Sequence, residues 1–184
     1  MLFRQFKLNS FLFLFSFCFL MAGCDGNTEL MKSVLSEDAV QVQASLDAGS
    51  DINERNNYGW TAFMHAARNG DPEIVKFLIS KGAQVNLQDD AGWTALMRAA
   101  RKGHVAIVEI LIQQGADLEK QDAQGWTALL WAVNQDHIEM ITSLVNHGAN
   151  VNVQASDGRT PLTVALSEGN NEVLDLLKKA GAKF

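Results

Sequence analysis

Apolar residues recur along most of this chain with the rhythm of amphipathic helices, in short bursts punctuated by glycine. In the stretch ALMRAARKGHVAIVEILIQQGA, Thr94 stands just ahead of the first burst, where a hydroxyl caps a helix, and Gly103 stands where a helix ends in the left-handed conformation. The pattern predicts a helix over 95–102, a tight turn, and a second helix that carries Val105, Val108, Leu111 and Ile112 on one face and closes at Gly115-Ala116. The pairs Ala66-Ala67 and Ala99-Ala100 mark places where two antiparallel helices approach closely, since larger side chains would hold them apart.

The burst repeats every 33 residues: Gly26, Gly59, Gly92, Gly125 and Gly158 fall in register, each followed two positions later by Thr28, Thr61, Thr94, Thr127 and Thr160. A fixed period of this length is the mark of a solenoid, and five units follow one another without an insertion. They run over 26–58, 59–91, 92–124, 125–157 and 158–184. Each unit of a solenoid contacts only its neighbours, so the outer units must present a solvated face. Lys32, Glu37, Gln41 and Gln43 suit that role in the first unit, as do Glu172, Asp175, Lys178 and Lys179 in the last.

The segments GWTAFMHAARNGDPEIVKFLISKGAQVN (59–86) and GRTPLTVALSEGN (158–170) resemble the ankyrin repeat. The resemblance implies a mostly α solenoid of helix-turn-helix units joined by β-turn hairpin loops, with a concave partner-binding surface formed by the loop tips and the exposed side of each first helix. Two departures stand out. Ala62, Ala95 and Ala128 replace the family's Pro, while Met64, Met97, Leu130 and Thr163 replace its His, so the usual His hydrogen-bond network is expected to give way to packing. Asp136 sits where Gly70, Gly103 and Gly169 end the first helix, which predicts a local backbone adjustment.

The first 23 residues read differently. Arg4 and Lys7 precede the apolar run FLFLFSFCFLM, and the small Ala22 and Gly23 precede Cys24, the layout of a secretory leader. The run is short for a spanning helix, which needs about 20 residues. Met21-Ala22-Gly23-Cys24 resembles a bacterial lipobox, implying cleavage at 1–23, lipid on Cys24 and a short tether through 24–25; a soluble protein cut near Gly23 is the alternative. Asp25, directly after the lipidated Cys, resembles the retention signal of lipoproteins that stay on the periplasmic face of the inner membrane, with the outer membrane as the other destination.

Cysteine usage follows from this. Cys18 leaves with the leader and Cys24 carries lipid, so no thiol remains for a disulfide, a metal site or a nucleophile. Without Arg4 and Lys7 there are 13 basic against 21 acidic residues, a net charge of −8 that disfavours nucleic acid. No G-x-S-x-G, Walker, H-E-x-x-H or paired Cys motif is present. His104 and His137 occupy equivalent repeat positions and so lie about 10 Å apart, too far to share a metal. The expectation is a binder with no cofactor, no metal and no catalytic residues.

The candidate surface is the row of tips. Trp60, Trp93 and Trp126 follow the turn Gly in three consecutive units and are expected to stack as a ladder, with Arg159 taking that place in the fifth unit and Tyr58 just before Trp60. Gln88, Gln121 and Gln154 form a second stripe of donors and acceptors. On the same side of the first helices lie His65, Arg98 and Trp131, then Arg68, Arg101 and Lys102. Trp, Tyr and Arg are the types enriched at binding hot spots. Two readings of the Trp row stay open at this point: a contact surface, or a stiffener of the hairpin array. Two roles fit a binder of this kind, a membrane-anchored periplasmic adaptor that holds or stabilises a protein partner, and an inhibitor or immunity-type protein that blocks a toxic enzyme.

Overall fold

The structure, a computed structural model, describes residues 25–183. The leader and Cys24 lie outside the described residues. Among those described, ten helices form five antiparallel pairs: α1 (Glu29–Leu35) with α2 (Ala39–Asp47), α3 (Ala62–Asn69) with α4 (Pro72–Ser80), α5 (Ala95–Lys102) with α6 (Val105–Gln113), α7 (Ala128–Asn134) with α8 (Ile138–Asn146), and α9 (Pro161–Glu168) with α10 (Asn171–Lys179). First helices pack on first helices in an inner row, and second helices form an outer row behind them.

Local chemistry sets the helix ends. Thr28, Thr61, Thr94, Thr127 and Thr160 each accept a hydrogen bond from the backbone N–H three residues on, so every first helix begins on the same hydroxyl cap. The first helices end at left-handed residues: Gly70, Gly103 and Gly169 adopt this conformation freely. In the fourth unit Asp136 takes the same conformation at φ 55°, the adjustment its sequence position predicts, and its carboxylate accepts a hydrogen bond from Asn170 Nδ2. Glu37, at the equivalent place in the first unit, is left-handed as well at φ 56°, which the sequence reading passed over.

The core is as periodic as the caps. Leu30, Phe63, Leu96, Leu129 and Leu162 occupy one buried column, and Val42, Val75, Val108, Ile141 and Leu174 another. In α6 the fully buried face is Ile107, Val108 and Leu111; Val105 and Ile112 are half-buried, because the outer helix turns only a narrow stripe inward. Met64, Met97 and Leu130, which stand where the family carries His, are buried apolar contacts, so packing takes over there, whereas Thr163 in the fifth unit keeps a hydrogen-bonding role, accepting from the Thr160 N–H at 2.8 Å. A hydrogen-bond link between units nevertheless survives through other histidines. His104 Nε2 meets the Arg68 carbonyl at 3.0 Å and His137 Nε2 meets that of Arg101 at 3.1 Å.

Further links run along both edges of the array. Asn53 accepts from the Gln84 N–H, Asn86 from Asp117 and Asn152 from Lys183, each one unit ahead, and Asn86 also donates to the Gly115 carbonyl. At the tips the N–H groups of Asp90, Ala123 and Ser156 donate to the carbonyls of Tyr58, Ala91 and Gln124 in the preceding unit. The tips approach so closely that a Cβ on Gly92, whose φ is 80°, would lie 2.9 Å from the Asp122 Cα.

Candidate functional site

The three middle tips are Asx turns. Asn56 Oδ1 accepts from the N–H groups of Tyr58 and Trp60, Asp89 Oδ1 from those of Ala91 and Trp93, and Asp122 Oδ1 from those of Gln124 and Trp126. These three residues did not figure among the sequence candidates. The signal was present as an Asn or Asp three positions ahead of Gly59, Gly92 and Gly125, in YGW, AGW and QGW contexts alike. The second carboxylate oxygen of each Asp reaches inward to the first helix of the following unit. Asp89 pairs with Arg98, and Asp122 Oδ2 accepts from Trp131 Nε1 at 2.9 Å.

That inward reach corrects the expected ladder. Equivalent positions in neighbouring units are separated by about a helix-packing distance, near 10 Å, whereas ring pairs touch at 4.5–7 Å. Consecutive tip indoles are therefore not in contact; the side chain nine residues after each Asx fills the space between them. Arg98 lies with its guanidinium carbon 3.2 Å from the Trp60 centroid and 5.2 Å from that of Trp93. Trp131 fills the next gap, 4.4 Å from Trp93 and 4.6 Å from Trp126. His65 lies against Trp60 at 4.7 Å, and Arg159 closes the far end 4.7 Å from Trp126. The result is one continuous stack of alternating tip and helix side chains.

The stack has an exposed and a hidden part. Trp126 is buried, 5 % exposed, so it offers little area to a partner, while Trp60, Trp93 and Trp131 are half-buried and Tyr58 is open to solvent. The glutamine stripe is spent internally. Gln88 Nε2 donates to the carbonyls of Gly92 and Gln121, Gln121 Nε2 to those of Gly125 and Gln154, and Gln154 Nε2 to that of Gly158. Arg55 begins the same relay by donating to the Gln88 carbonyl. Gln88 and Gln121 thus turn both amide donors to the tips, while Gln154, which is exposed, gives a single bond.

Two clefts open on the concave side. The first, of about 740 Å³, brings together Tyr58, Trp60, His65, Arg68, Trp93, Arg98 and Arg101, with Asp25 and Asn27 at its upper end. The second, about 560 Å³, lies over the ends of the first helices, where Arg68, Arg101 and Lys102 are exposed. Gln88, Gln121 and Gln154 lie apart from both.

Electrostatics divide the cations into two groups. Arg98 is buried; loss of hydration lowers its pKa to about 10, against the opposing pull of Asp89, and its Nε has no hydrogen-bond partner. His65, also buried, has neither ring nitrogen hydrogen-bonded, and burial, helped by Arg98 and Arg68, lowers its pKa to about 4. It is neutral at physiological pH. By contrast Arg68, Arg101 and Lys102 sit in solvent, and among the described residues none of them is ion-paired with a carboxylate. At the fifth tip Arg159 is paired with Asp157, whose carboxyl that hydrogen bond holds below its ordinary pKa.

No three His, Cys, Asp or Glu side chains converge as metal ligands would among the described residues. Within the same limits, no helix is long and apolar enough to cross a membrane.

Comparison with known proteins agrees with the period. The family model for ankyrin repeats (3 copies) matches residues 19–122 and again 115–184. Among curated proteins, the NAD-capped RNA hydrolase NUDT12 of Homo sapiens, and likewise that of Pongo abelii, is 67 % identical over 27 residues. That stretch is 15 % of this chain and 6 % of the hydrolase, less than one repeat unit, so the likeness concerns a repeat and not the hydrolase as a whole.

Proposed function

Because this chain belongs to the ankyrin-repeat family, a family of protein-interaction modules, we propose that it acts as a membrane-anchored periplasmic adaptor that holds or stabilises a partner protein against its concave face. Binding, not catalysis, is the activity in this reading. The observation that carries it is the cleft of about 740 Å³, in which Trp60, Trp93 and Arg101 are held by the stack beneath them, with the exposed Tyr58 beside them. Side chains fixed in this way lose little conformational entropy when a partner arrives. Aromatic and Arg anchors backed by a packed floor are also the groups that dominate interface energetics. In a solenoid the fold recurs and the surface residues choose the partner.

The anchor rests on the lipobox-like Met21-Ala22-Gly23-Cys24, and the inner-membrane placement on Asp25. Two measurements test the reading. Affinity capture from membranes with the wild type and with a Trp60→Ala/Trp93→Ala double variant should return a protein with the first and lose it with the second. Retention by the variant, at unchanged yield, removes the concave face from the proposal. For the anchor, Cys24→Ala should block maturation or release the protein from the membrane; a mature, fully membrane-bound Cys24→Ala protein overturns it.

A further inference from the structure

The second cleft has a composition unlike the rest of the molecule. Across the whole chain acidic residues outnumber basic ones 21 to 15, yet this cleft is lined by Trp60, Arg68, Arg98, Arg101, Lys102, Gln135 and His137, with no carboxylate. Three of those cations, Arg68, Arg101 and Lys102, are exposed, and none of the three is ion-paired within the described residues. Their placement is not loose. The Arg68 guanidinium carbon lies 5.5 Å from the Trp60 centroid, and that of Arg101 lies 5.5 Å from Trp93 and 5.3 Å from Trp131. Indole faces therefore hold two planar forks at the ends of α3 and α5, with their N–H donors left over.

We propose that this cleft is the docking site for an acidic segment of the partner protein, taking two or more Asp or Glu carboxylates on Arg68, Arg101 and Lys102. The proposal rests on the adaptor reading and specifies the chemistry of its partner. A guanidinium fork matches a carboxylate bidentately, and indole packing on its other side limits the entropy lost in pairing. A single exposed pair contributes little; three cations on one concave floor act together on a segment that carries several carboxylates. Tyr58 and Trp60, in the adjoining cleft, offer contact to an apolar residue next to the acidic ones. An extended polyanion fits less well. A phosphate-rich membrane surface or nucleic acid covers more area than three cations and would meet Asp25 and Asp90 along the same face, whereas a short acidic segment reaches the cleft alone.

The test is a fluorescence-anisotropy titration of the full-length protein in detergent, with a labelled peptide of alternating Glu and Leu and with the same peptide bearing Gln for Glu. The Glu peptide should bind, weaken with added salt, and lose about tenfold or more in affinity to an Arg68→Gln/Arg101→Gln/Lys102→Gln variant. All three positions are exposed, and an unchanged melting curve verifies that the variant is folded. The proposal fails if the Glu peptide shows no binding below about 1 mM, if the Gln peptide binds equally well, if the triple variant binds as the wild type does, or if phosphatidylglycerol in mixed micelles or a single-stranded oligonucleotide competes more strongly than the peptide. Capture from membranes separates this failure from that of the adaptor reading. A triple variant that still captures the partner lost by Trp60→Ala/Trp93→Ala overturns the acidic docking site alone, while a wild type that captures nothing overturns the adaptor itself.

Discussion

Arg98 is held between two groups of the preceding unit: its guanidinium carbon lies 3.2 Å from the centroid of the Trp60 ring, while its Nη2 is ion-paired with Asp89 at that unit's end. The side chains of both partners in the pair are nearly inaccessible, 10 % and 1 % exposed. Removing one member leaves the other charged and buried, a situation that costs about 3–5 kcal/mol. Arg98→Ala should therefore destabilise the protein by about 3 kcal/mol or more, with Asp89→Ala similar. Chemical denaturation of the double variant gives the discriminating result: the two losses should be strongly non-additive, and simple additivity would show that the pair is not coupled.

His65 makes stability depend on pH. Its pKa falls from an ordinary 6.5 to about 4 on folding, so between those values the unfolded chain binds a proton that the folded one refuses. The stabilisation is complete above pH 6.5 and is lost as pH falls toward 4. At 1.36 kcal/mol per unit it amounts to about 3 kcal/mol at most. A His65→Leu variant should lose less stability than the wild type between pH 7 and pH 4.5, measured by urea titration at each pH. Parallel losses in the two proteins would rule out this source.

Glu37 occupies a left-handed conformation, φ 56°, that its equivalents Gly70 and Gly103 adopt without strain. For an ordinary side chain that conformation costs about 1–2 kcal/mol. Glu37→Gly should raise the melting temperature, by an amount corresponding to roughly 1 kcal/mol after the extra freedom of Gly in the unfolded chain is subtracted. Asp136→Gly should gain less, since Asp tolerates this region better and here also accepts from Asn170.

Gln121 spends both protons of its amide, one on the Gly125 carbonyl at 2.8 Å and one on the Gln154 carbonyl at 3.2 Å in the next unit. Gln121→Glu keeps the shape and replaces the donors with a carboxylate facing two carbonyl oxygens. A loss of about 1–2 kcal/mol is expected at neutral pH, reduced once the carboxyl is protonated. An unchanged melting curve would show that the tip relay is incidental.

The helices, their Thr caps and the buried columns were legible in the sequence because they depend on what stays constant from unit to unit. Thr61, Thr94 and Thr127 do the same task three times, and so do Phe63, Leu96 and Leu129. The candidate surface was legible in membership but not in arrangement. His65, Arg98 and Trp131 occupy one repeat position with three different side chains, and they are what fills the gaps between the tip indoles. A search for sameness predicts a ladder of Trp60, Trp93 and Trp126 and passes over the variable position that separates them. Gln88 and Gln121 turn both amide donors inward for a related reason. An exposed amide beside a free carbonyl one unit away bonds to it, and that carbonyl belongs to the backbone, which side-chain patterns do not display. Burial of Trp126 follows from its neighbours Trp131 and Arg159, one on either side, and not from its own position.

The Gln88, Gln121 and Gln154 relay also bears on how such a chain changes over generations. Each amide needs only the carbonyl of the adjoining unit, and every unit supplies the same carbonyl in the same place. A copying error that drops or duplicates 33 residues therefore leaves each new junction with a donor and an acceptor already in position. Lengthening or shortening in whole units breaks no tip bond, whereas an insertion of any other size severs the relay where it falls. The array is free to vary in number long before it is free to vary in register.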